Sequence, residues 1–213
     1  MTGLSFACTG AAPERYAAAP TLVFDLRVTE ESGERVHALA LRCQIRIEPQ
    51  RRTYETAEAE GLLDLFGEPA RWGDTLKPLQ FTTVPLMVPG FSGETEVGLP
   101  VPVTYDLEVA AGKYFQALRD GEVPLLLLFS GTVFYQGAAG LQVEQVPWDR
   151  EARYRLPVAV WRELIDLRFP NSGWLRLSRD TLDALHRVKA RRALPTWEHA
   201  IEYLLKQAGE ETP

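Results

Sequence analysis

The sequence predicts an α+β fold, with an antiparallel β-sheet or sandwich core followed by a C-terminal helical segment. Two patterns predict it: apolar residues alternate with period two over most of residues 21–150, and they recur at helical spacing beyond residue 157. A third observation is the apolar run at residues 122–135, which is too short to cross a membrane. We expect this run to be the central strand, buried on both faces, with Leu126, Leu128 and Phe134 in the core.

The predicted organisation has three parts. Residues 1–20 carry glycines and prolines among many alanines without a sustained period, which favours an extended arm that becomes regular only near Thr21. Residues 21–150 are predicted to form a β-rich domain with two short helices. Residues 151–213 are predicted to form the C-terminal helical segment, packed on that domain.

Two amphipathic strands begin the β-rich domain. Residues 21–29 alternate apolar and polar positions, and residues 37–48 do so more clearly, with Cys43 on the apolar face and Arg42 on the polar face. The acidic segment 30–34, which contains Ser and Gly, turns the chain. This short connection predicts that the two strands form a hairpin.

Prolines mark the next pair of strands. Residues 57–66 predict a short helix, and residues 68–77 predict a loop. Strand patterning then returns at residues 76–88 and 94–109, interrupted by Pro85, Pro89, Pro100 and Pro102. Proline cannot donate a hydrogen bond to a β-ladder, so we expect both strands to lie at sheet edges or to be bulged.

The central strand has a predicted helix before it and a predicted strand after it. The helix covers residues 110–119 and the strand covers residues 141–146, after which residues 147–149 are expected to end the β part. Within the central strand, Gly131 indicates a bulge or a close backbone contact that excludes a bulky side chain.

Three helices are predicted in the C-terminal segment. The first begins after Pro157, and the second is capped by Ser178 and extends to Arg192. The third covers residues 196–207 and ends before Gly209. Its apolar face is expected to bury Trp197, Ala200, Ile201, Leu204 and Leu205.

Composition and charge exclude several classes of protein. The 213 residues carry a net charge of -6 and include only two cysteines, Cys8 and Cys43. The negative charge disfavours general nucleic-acid binding, and two cysteines make neither a disulfide framework nor a four-ligand metal site. With no apolar run of membrane-spanning length and no export signal pattern, the sequence predicts a cytoplasmic protein without a membrane span.

Local motifs for catalysis are absent from the sequence. There is no phosphate-binding glycine loop, no G-x-S-x-G, no C-x-x-C and no H-E-x-x-H. His186 and His199 lie on two different predicted helices and could approach each other as a metal pair with Asp183 or Glu202. Solvated histidines on helix surfaces are the favoured interpretation.

Paired acids give an equally weak catalytic signal. Glu58 with Glu60, or Glu94 with Glu96, could act in general acid and base catalysis, but the same spacing is typical of solvated faces. The sequence therefore predicts no catalytic residue, no metal ligand and no cofactor.

The strongest candidates for a binding site lie in the C-terminal segment. Arg187, Lys189, Arg191 and Arg192 place four cations within six residues of an acidic chain, where they could attract an acidic partner or simply complement the helix dipole. Trp174, in a predicted loop, could anchor a partner or cover the helix junction. We predict these five residues as contacts for a protein partner.

Five runs of the sequence carry a family resemblance: VPWDREARY at 146–154, FPNSGW at 169–174, SRDTLDAL at 178–185, FSGT at 129–132 and RRALPTW at 191–197. These runs resemble an uncharacterised actinobacterial family that is known only as a domain of unknown function. The resemblance implies gene neighbourhoods of uptake nickel-iron hydrogenases and hence an accessory or assembly role. A fainter similarity to the SecB export chaperones lies in the order of elements.

The sequence as a whole favours a non-enzymatic, protein-binding accessory protein, chaperone-like or scaffolding, that serves a hydrogenase or another redox complex. The alternative is a small enzyme whose site is assembled from distant residues near the C-terminal helices. The sequence leaves the oligomeric state open.

Overall fold

The computed structural model describes residues 3–104, 107, 111–137, 140–167, 170 and 177–210. The strands are β1 (Leu4–Pro13), β2 (Thr21–Glu30), β3 (Val36–Ile47), β4 (Leu79–Phe91), β5 (Glu94–Pro102), β6 (Glu122–Gly137), β7 (Gly140–Gln145) and β8 (Glu151–Pro157). The helices are α1 (Thr56–Gly61), α2 (Leu63–Phe66), α3 (Trp72–Thr75), α4 (Lys113–Ala117), α5 (Val158–Asp166), α6 (Arg179–Arg191) and α7 (Trp197–Ala208). This arrangement confirms the predicted α+β class.

The strands form two antiparallel sheets. One has the order β1-β2-β5, and the other has the order β4-β3-β6-β7, with β8 also paired to β6. β8 and β7 pair with successive lengths of the long strand β6, at residues 122–128 and 132–137 respectively. The predicted central strand is therefore central in the structure.

The two sheets pack face to face around one core. Phe6 on β1 stacks on Phe129 of β6, with ring centroids 4.3 Å apart. On β3 every second residue from Leu39 to Ile47 is buried, as its alternating sequence predicts. The dispersion contacts and apolar burial between these inner faces are the main source of the unit's stability.

The predicted hairpin between the first two amphipathic strands is wrong, because β2 and β3 lie in different sheets. Residues 31–35 connect them, and the carboxylate of Glu30 accepts hydrogen bonds from the backbone N–H groups of Ser32 and Gly33. This five-residue connection is long enough to carry the chain from one layer to the other. Because the chain crosses between the layers here, the apolar faces of β2 and β3 can both be buried in the core between the two sheets.

The predicted irregular arm at the N-terminus is also wrong over part of its length, because residues 4–13 form β1 and pair with β2. Leu4 and Phe6 are buried, but the register shifts between Cys8 and Gly10. A bulge of this kind breaks the alternation of apolar residues, which is why no strand period is visible in the sequence.

Two further boundaries differ from the prediction. Residues 68–77 are not a plain loop, because α3 forms there, with the indole N–H of Trp72 donating to the carbonyl of Gly67 at 2.9 Å. The β part does not end at residue 149, since β8 follows and pairs with β6. In β8 the side chains of Ala152, Tyr154 and Leu156 are buried or half-buried and the residues between them are exposed, which is strand alternation in a segment that we predicted as helical.

The proline-interrupted strands do lie at edges, as predicted. β4 is the end strand of one sheet and β5 the end strand of the other. β5 ends at Pro102, and the predicted continuation through residues 105, 106, 108 and 109 lies outside the described residues.

The central strand is buried on one face only, which corrects the prediction. Leu125, Leu127 and Phe129 point into the core and are at most 2% exposed. Leu126, Leu128 and Phe134 lie on the opposite face and are half-buried. An apolar run without alternation does not show which face points inward, so the sequence assigned these three residues to the wrong side.

This assignment predicts a contrast between neighbouring leucines. Leu127→Ala should lower the free energy of unfolding by about 3 kcal/mol, because it leaves a cavity in the core. Leu126→Ala should lower it by about 1 kcal/mol, because that side chain keeps part of its surface in water. Urea denaturation followed by circular dichroism measures both. A larger loss of unfolding free energy for Leu126→Ala than for Leu127→Ala would show that Leu126, and not Leu127, faces the core.

The chain divides into two compact units, Met1–Asn171 and Ser172–Pro213. In the second unit α6 begins after the N-cap Ser178, whose side chain accepts from the N–H of Thr181, as predicted. α7 ends at Ala208, and its C-cap Gly209 has the left-handed φ of 86° that favours glycine at this position. Among the helices in the described ranges, none is long and apolar enough to span a membrane.

The apolar face of α7 is less buried than predicted. Ala200 is fully buried, but Trp197, Ile201 and Leu204 are 37% to 38% exposed. These three residues recur at i, i+4 and i+7, so they form one stripe along the helix. One neighbouring helix, α6, cannot cover the whole of this stripe.

Candidate functional site

A polar cleft lies in the first unit, at the end of the larger sheet where β3 ends and β6 begins. Its volume is about 720 Å³. The segment after β3, the loop before β6 and the end of β8 form its walls. Because its basic residues are Arg51, Arg52, Arg119 and Arg155, we refer to it as the arginine cleft.

The buried ion pair between Arg52 and Glu58 organises this cleft. Their side chains are 9% and 3% exposed, and Nη2 of Arg52 lies 2.7 Å from Oε1 of Glu58. The same guanidinium donates to the carbonyls of Asp120 at 2.6 Å and Glu122 at 3.0 Å. It therefore ties the segment after β3 to the loop that leads into the central strand.

Glu58 is bound from several directions. Its carboxylate accepts from the backbone N–H of Arg119 at 2.8 Å and from that of Glu55 at 3.2 Å. Burial alone would raise the pKa of Glu58, but these two hydrogen bonds and the charge of Arg52 outweigh it and hold the pKa below its usual value. Glu58 is consequently an ionised structural group and a poor general acid.

The hydroxyl groups of two tyrosines, Tyr54 and Tyr114, lie within hydrogen-bonding distance of each other near the ion pair. The hydroxyl of Tyr54 donates to the carbonyl of Pro49 at 2.8 Å and also lies 2.8 Å from the hydroxyl of Tyr114. Because a hydroxyl has one proton, Tyr114 must be the donor in this second bond. Burial raises the pKa of both tyrosines, so neither forms a phenolate that could act as a base at neutral pH.

Further ion pairs lie in and beside the cleft. Glu48 pairs with Arg51 at 3.3 Å and with Arg153 at 3.4 Å. Arg155 and Glu122 are 3.9 Å apart, and a smaller cavity of about 270 Å³ continues beside them. The linings of the two cavities carry both cations and anions, an arrangement that suits a polar ligand.

The remaining paired acids and the two cysteine thiols do not have the surroundings of a catalytic group. Glu60 is exposed, and it is not part of the buried ion pair. Arg27 lies between Glu94 and Glu96, at 3.4 Å and 2.8 Å. Burial raises the pKa of both Cys8 and Cys43 to about 12, so both thiols are protonated at neutral pH.

The two histidines of the C-terminal helices are engaged locally. The ring of His186 packs edge-on against Trp197 with centroids 4.4 Å apart, and His199 hydrogen-bonds to the side chain of Thr196. No group of three or more His, Cys, Asp and Glu side chains suited to a metal occurs in the described part of the chain.

The predicted partner-binding residues that can be located lie on α6 and its C-cap. Arg187 and Arg191 are exposed. Lys189 lies over the ring of Trp197 at 5.7 Å, and Arg192 lies over the ring of Tyr203 at 5.2 Å. Trp174, the fifth predicted contact, lies outside the described residues.

The buried ion pair has no direct signal in the sequence. Arg52 and Glu58 are six residues apart, which is not a helical contact spacing, and apart from Glu55 their other partners described above are 61 to 70 residues further along the chain. The usable signal was Glu58 at the third position after Glu55, a spacing typical of a capping box at a helix start. Such a spacing predicts a helix end, but it cannot reveal the tertiary partner.

The two sheets, the arginine cleft and the following helices define an α+β sandwich protein with a polar cleft. The whole chain, residues 1–213, matches the model of a family described as Family of unknown function (DUF6084), and the chain belongs to that family. No curated protein shows significant similarity to the chain.

Three solved structures are similar at low identity. A late embryogenesis abundant (LEA) protein shares 12% identity at a TM-score of 0.32, over 72% of this chain and 71% of that one. A β-glucosidase from Kluyveromyces marxianus shares 6% identity at a TM-score of 0.26, over 72% of this chain and 15% of that one. β-Glucosidase 3B from Thermotoga neapolitana shares 9% identity at a TM-score of 0.26, over 72% of this chain and 17% of that one.

Proposed function

We propose that this chain is a non-enzymatic accessory protein that binds a protein partner through α6 and α7. The observation that carries the proposal is the exposed apolar stripe of Trp197, Ile201 and Leu204 on α7. Leu182 on α6 is also 39% exposed. Exposed apolar side chains on amphipathic helices are typical of surfaces that bind another protein.

The charges beside this stripe favour an acidic partner. Arg187 and Arg191 are exposed, Lys189 lies over the ring of Trp197 in the stripe, and Arg192 lies over the ring of Tyr203 on the same helix. Cations placed around an apolar centre accelerate association with an acidic surface and fix its orientation. Trp174, from the segment before α6, completes the proposed set of contacts.

A protein surface fits this arrangement better than an anionic membrane. α7 carries Glu198 and Glu202 on its polar side, and the chain as a whole has a net charge of -6. Helices that bind anionic lipid have a predominantly basic polar face. We propose a chaperone-like or scaffolding role toward a subunit or precursor of a redox enzyme, with a nickel-iron hydrogenase as the case that the family resemblance implies.

A tagged chain used as bait in a native lysate, with mass spectrometry of the bound proteins, identifies the partner.

With that partner purified, Arg191→Glu combined with Arg192→Glu should slow association about tenfold at low salt and flatten its salt dependence. Trp174→Ala should mainly speed dissociation. Surface plasmon resonance at several salt concentrations measures both rates.

The matched control is Arg42→Glu, which reverses an exposed cation on β3 in the first unit. It should leave both rates unchanged. If Arg42→Glu slows association while the two C-terminal variants do not, the partner binds the sheet face and the proposed site is wrong. Circular dichroism of each variant shows whether its fold is intact.

A further inference from the structure

Strand β7 forms an unprotected edge of the larger sheet. It pairs with β6 along one side, and among the described residues no strand pairs with its other side. The outward N–H and C=O groups of such a strand can template pairing with another chain. Proteins normally protect these edges with proline, lysine, a bulge or a covering element.

The other edges of the sandwich have such protection. β4 contains Pro85 and Pro89, and β5 contains Pro100 and Pro102. β1 has a register shift and runs beside β8. β7, with the sequence GLQVEQ, has no proline and no basic residue, and its pairing with β6 has no register shift.

The side chains of β7 are unusually apolar for an exposed edge. Leu141 and Val143 are 55% and 56% exposed, and they lie on the same face because they are two residues apart. Phe134 lies opposite Val143 on β6 and extends this apolar surface. Trp148, three residues beyond the strand, is 92% exposed. An exposed apolar edge of this kind indicates a partner surface.

We propose that β7 pairs antiparallel with β7 of a second copy of this chain, about a two-fold axis at Val143. The two five-stranded sheets would then continue into each other across the axis. Such an interface is isologous, so each copy contributes the same strand.

The register follows from the strand itself. Gly140 has a φ of 114°, which departs from extended geometry, so the regular part of β7 is residues 141–145 with Val143 at its midpoint. Centring the axis on Val143 places Leu141 opposite Gln145 and Gln142 opposite Glu144. A centre on Gln142 would pair only residues 141–143 of the regular part, and a centre on Glu144 would oppose two carboxylates. A centre between residues would set the apolar face of one strand against the polar face of the other.

The lack of like charges is what makes a second copy a suitable occupant. Glu144 is the only charged residue of the strand, and in this register it faces an amide that can donate to it. A six-residue strand buries less than the roughly 1,200 Å² of a stable interface, so the dimer should be weak, with a dissociation constant on the order of 10 µM.

Sedimentation equilibrium of the full chain over a wide concentration range tests this dimer. The wild-type protein should show a reversible monomer–dimer equilibrium. Val143→Lys and Val143→Glu each place like charges at the two-fold axis, and each should weaken dimerisation by at least about tenfold. An equimolar mixture of the two variants should restore it, because lysine then faces glutamate.

Met87→Lys is the matched control. Met87 is 63% exposed on β4, the opposite edge of the same sheet, so its replacement should leave dimerisation unchanged. A wild-type chain that stays monomeric at every concentration overturns the proposal, as does a Val143→Lys variant that still dimerises. A mixture of the two Val143 variants that stays monomeric overturns the register. None of these outcomes bears on the partner proposed for α6 and α7.

Discussion

Gly131→Ala is expected to destabilise the protein by about 4 kcal/mol, because it combines backbone strain with a clash inside the larger sheet. Gly131 has a φ of 150°, and a Cβ atom there would lie 2.1 Å from the carbonyl oxygen of Ala40 on β3. The added Cβ would be attached to the backbone of β6, and the carbonyl oxygen belongs to the backbone of β3. These two strands are paired, so neither can move aside without losing ladder hydrogen bonds. Equilibrium denaturation in urea, with the soluble yield as a second readout, measures the loss.

The position of Gly131 explains why the strand needs glycine there. β8 pairs with β6 up to Leu128, and β7 takes over from Thr132. Between these two partners the carbonyl of Gly131 accepts from the N–H of Val146 at 2.9 Å. Gly131 therefore lies where the central strand changes its neighbour.

Gly98→Ala provides the comparison within a strand of the other sheet. There an added Cβ would meet only the side chain of Val23, at 3.0 Å, and the backbone φ is not in the left-handed region. We expect a change of less than about 1 kcal/mol, because a side chain can adjust where a backbone cannot. Equal losses at the two glycines would show that the contact between β6 and β3 is looser than the structure describes.

The sequence predicted most strands because their periodicity reports burial on one face. β3 has a strict alternation, and the structure buries the residues that this alternation selects. The periodicity of the sequence could not predict which strands pair, because strand pairing depends on how the two sheets pack on each other. β2 and β3 are neighbours in the chain, yet they lie in different sheets.

The candidate site was less accessible to sequence reasoning than the fold. A buried ion pair depends on segments that are distant in the sequence, and Arg52 resembles any arginine on a loop until its partners are known. The cations of α6 and its C-cap were visible because four of them lie within six residues of the sequence. The structure adds that Lys189 and Arg192 each lie over an aromatic ring of α7, a contact that helical spacing alone does not show.

Glu58→Gln is expected to lower the free energy of unfolding by about 3 kcal/mol at neutral pH. Glutamine has nearly the same shape, but it leaves the guanidinium of Arg52, 9% exposed, without a neutralising charge. The loop before β6 should loosen with it, because the same guanidinium binds the carbonyls of Asp120 and Glu122. Urea denaturation gives the free energy, and amide hydrogen exchange of residues 119–122 reports on the loop.

The difference in the free energy of unfolding between the wild type and Glu58→Gln should become smaller as the pH falls, because it depends on the charge of Glu58. The folded pKa of Glu58 is lowered from its usual value of 4.5, so the unfolded chain binds this proton at a higher pH than the folded chain does. The stability contributed by Glu58 is therefore complete above that value and is lost as the pH falls through the lower, folded pKa. We expect the stability of the wild type to exceed that of Glu58→Gln by the full amount above about pH 5 and by progressively less in acid.

Glu122→Gln is the control in the same cleft: its carboxylate and Arg155 are 3.9 Å apart and at least half exposed, so its loss of stability should stay below about 0.5 kcal/mol. A difference between wild type and Glu58→Gln that does not change with pH would mean that Glu58 is not ionised in the folded protein, and that the cleft is held together by neutral hydrogen bonds instead.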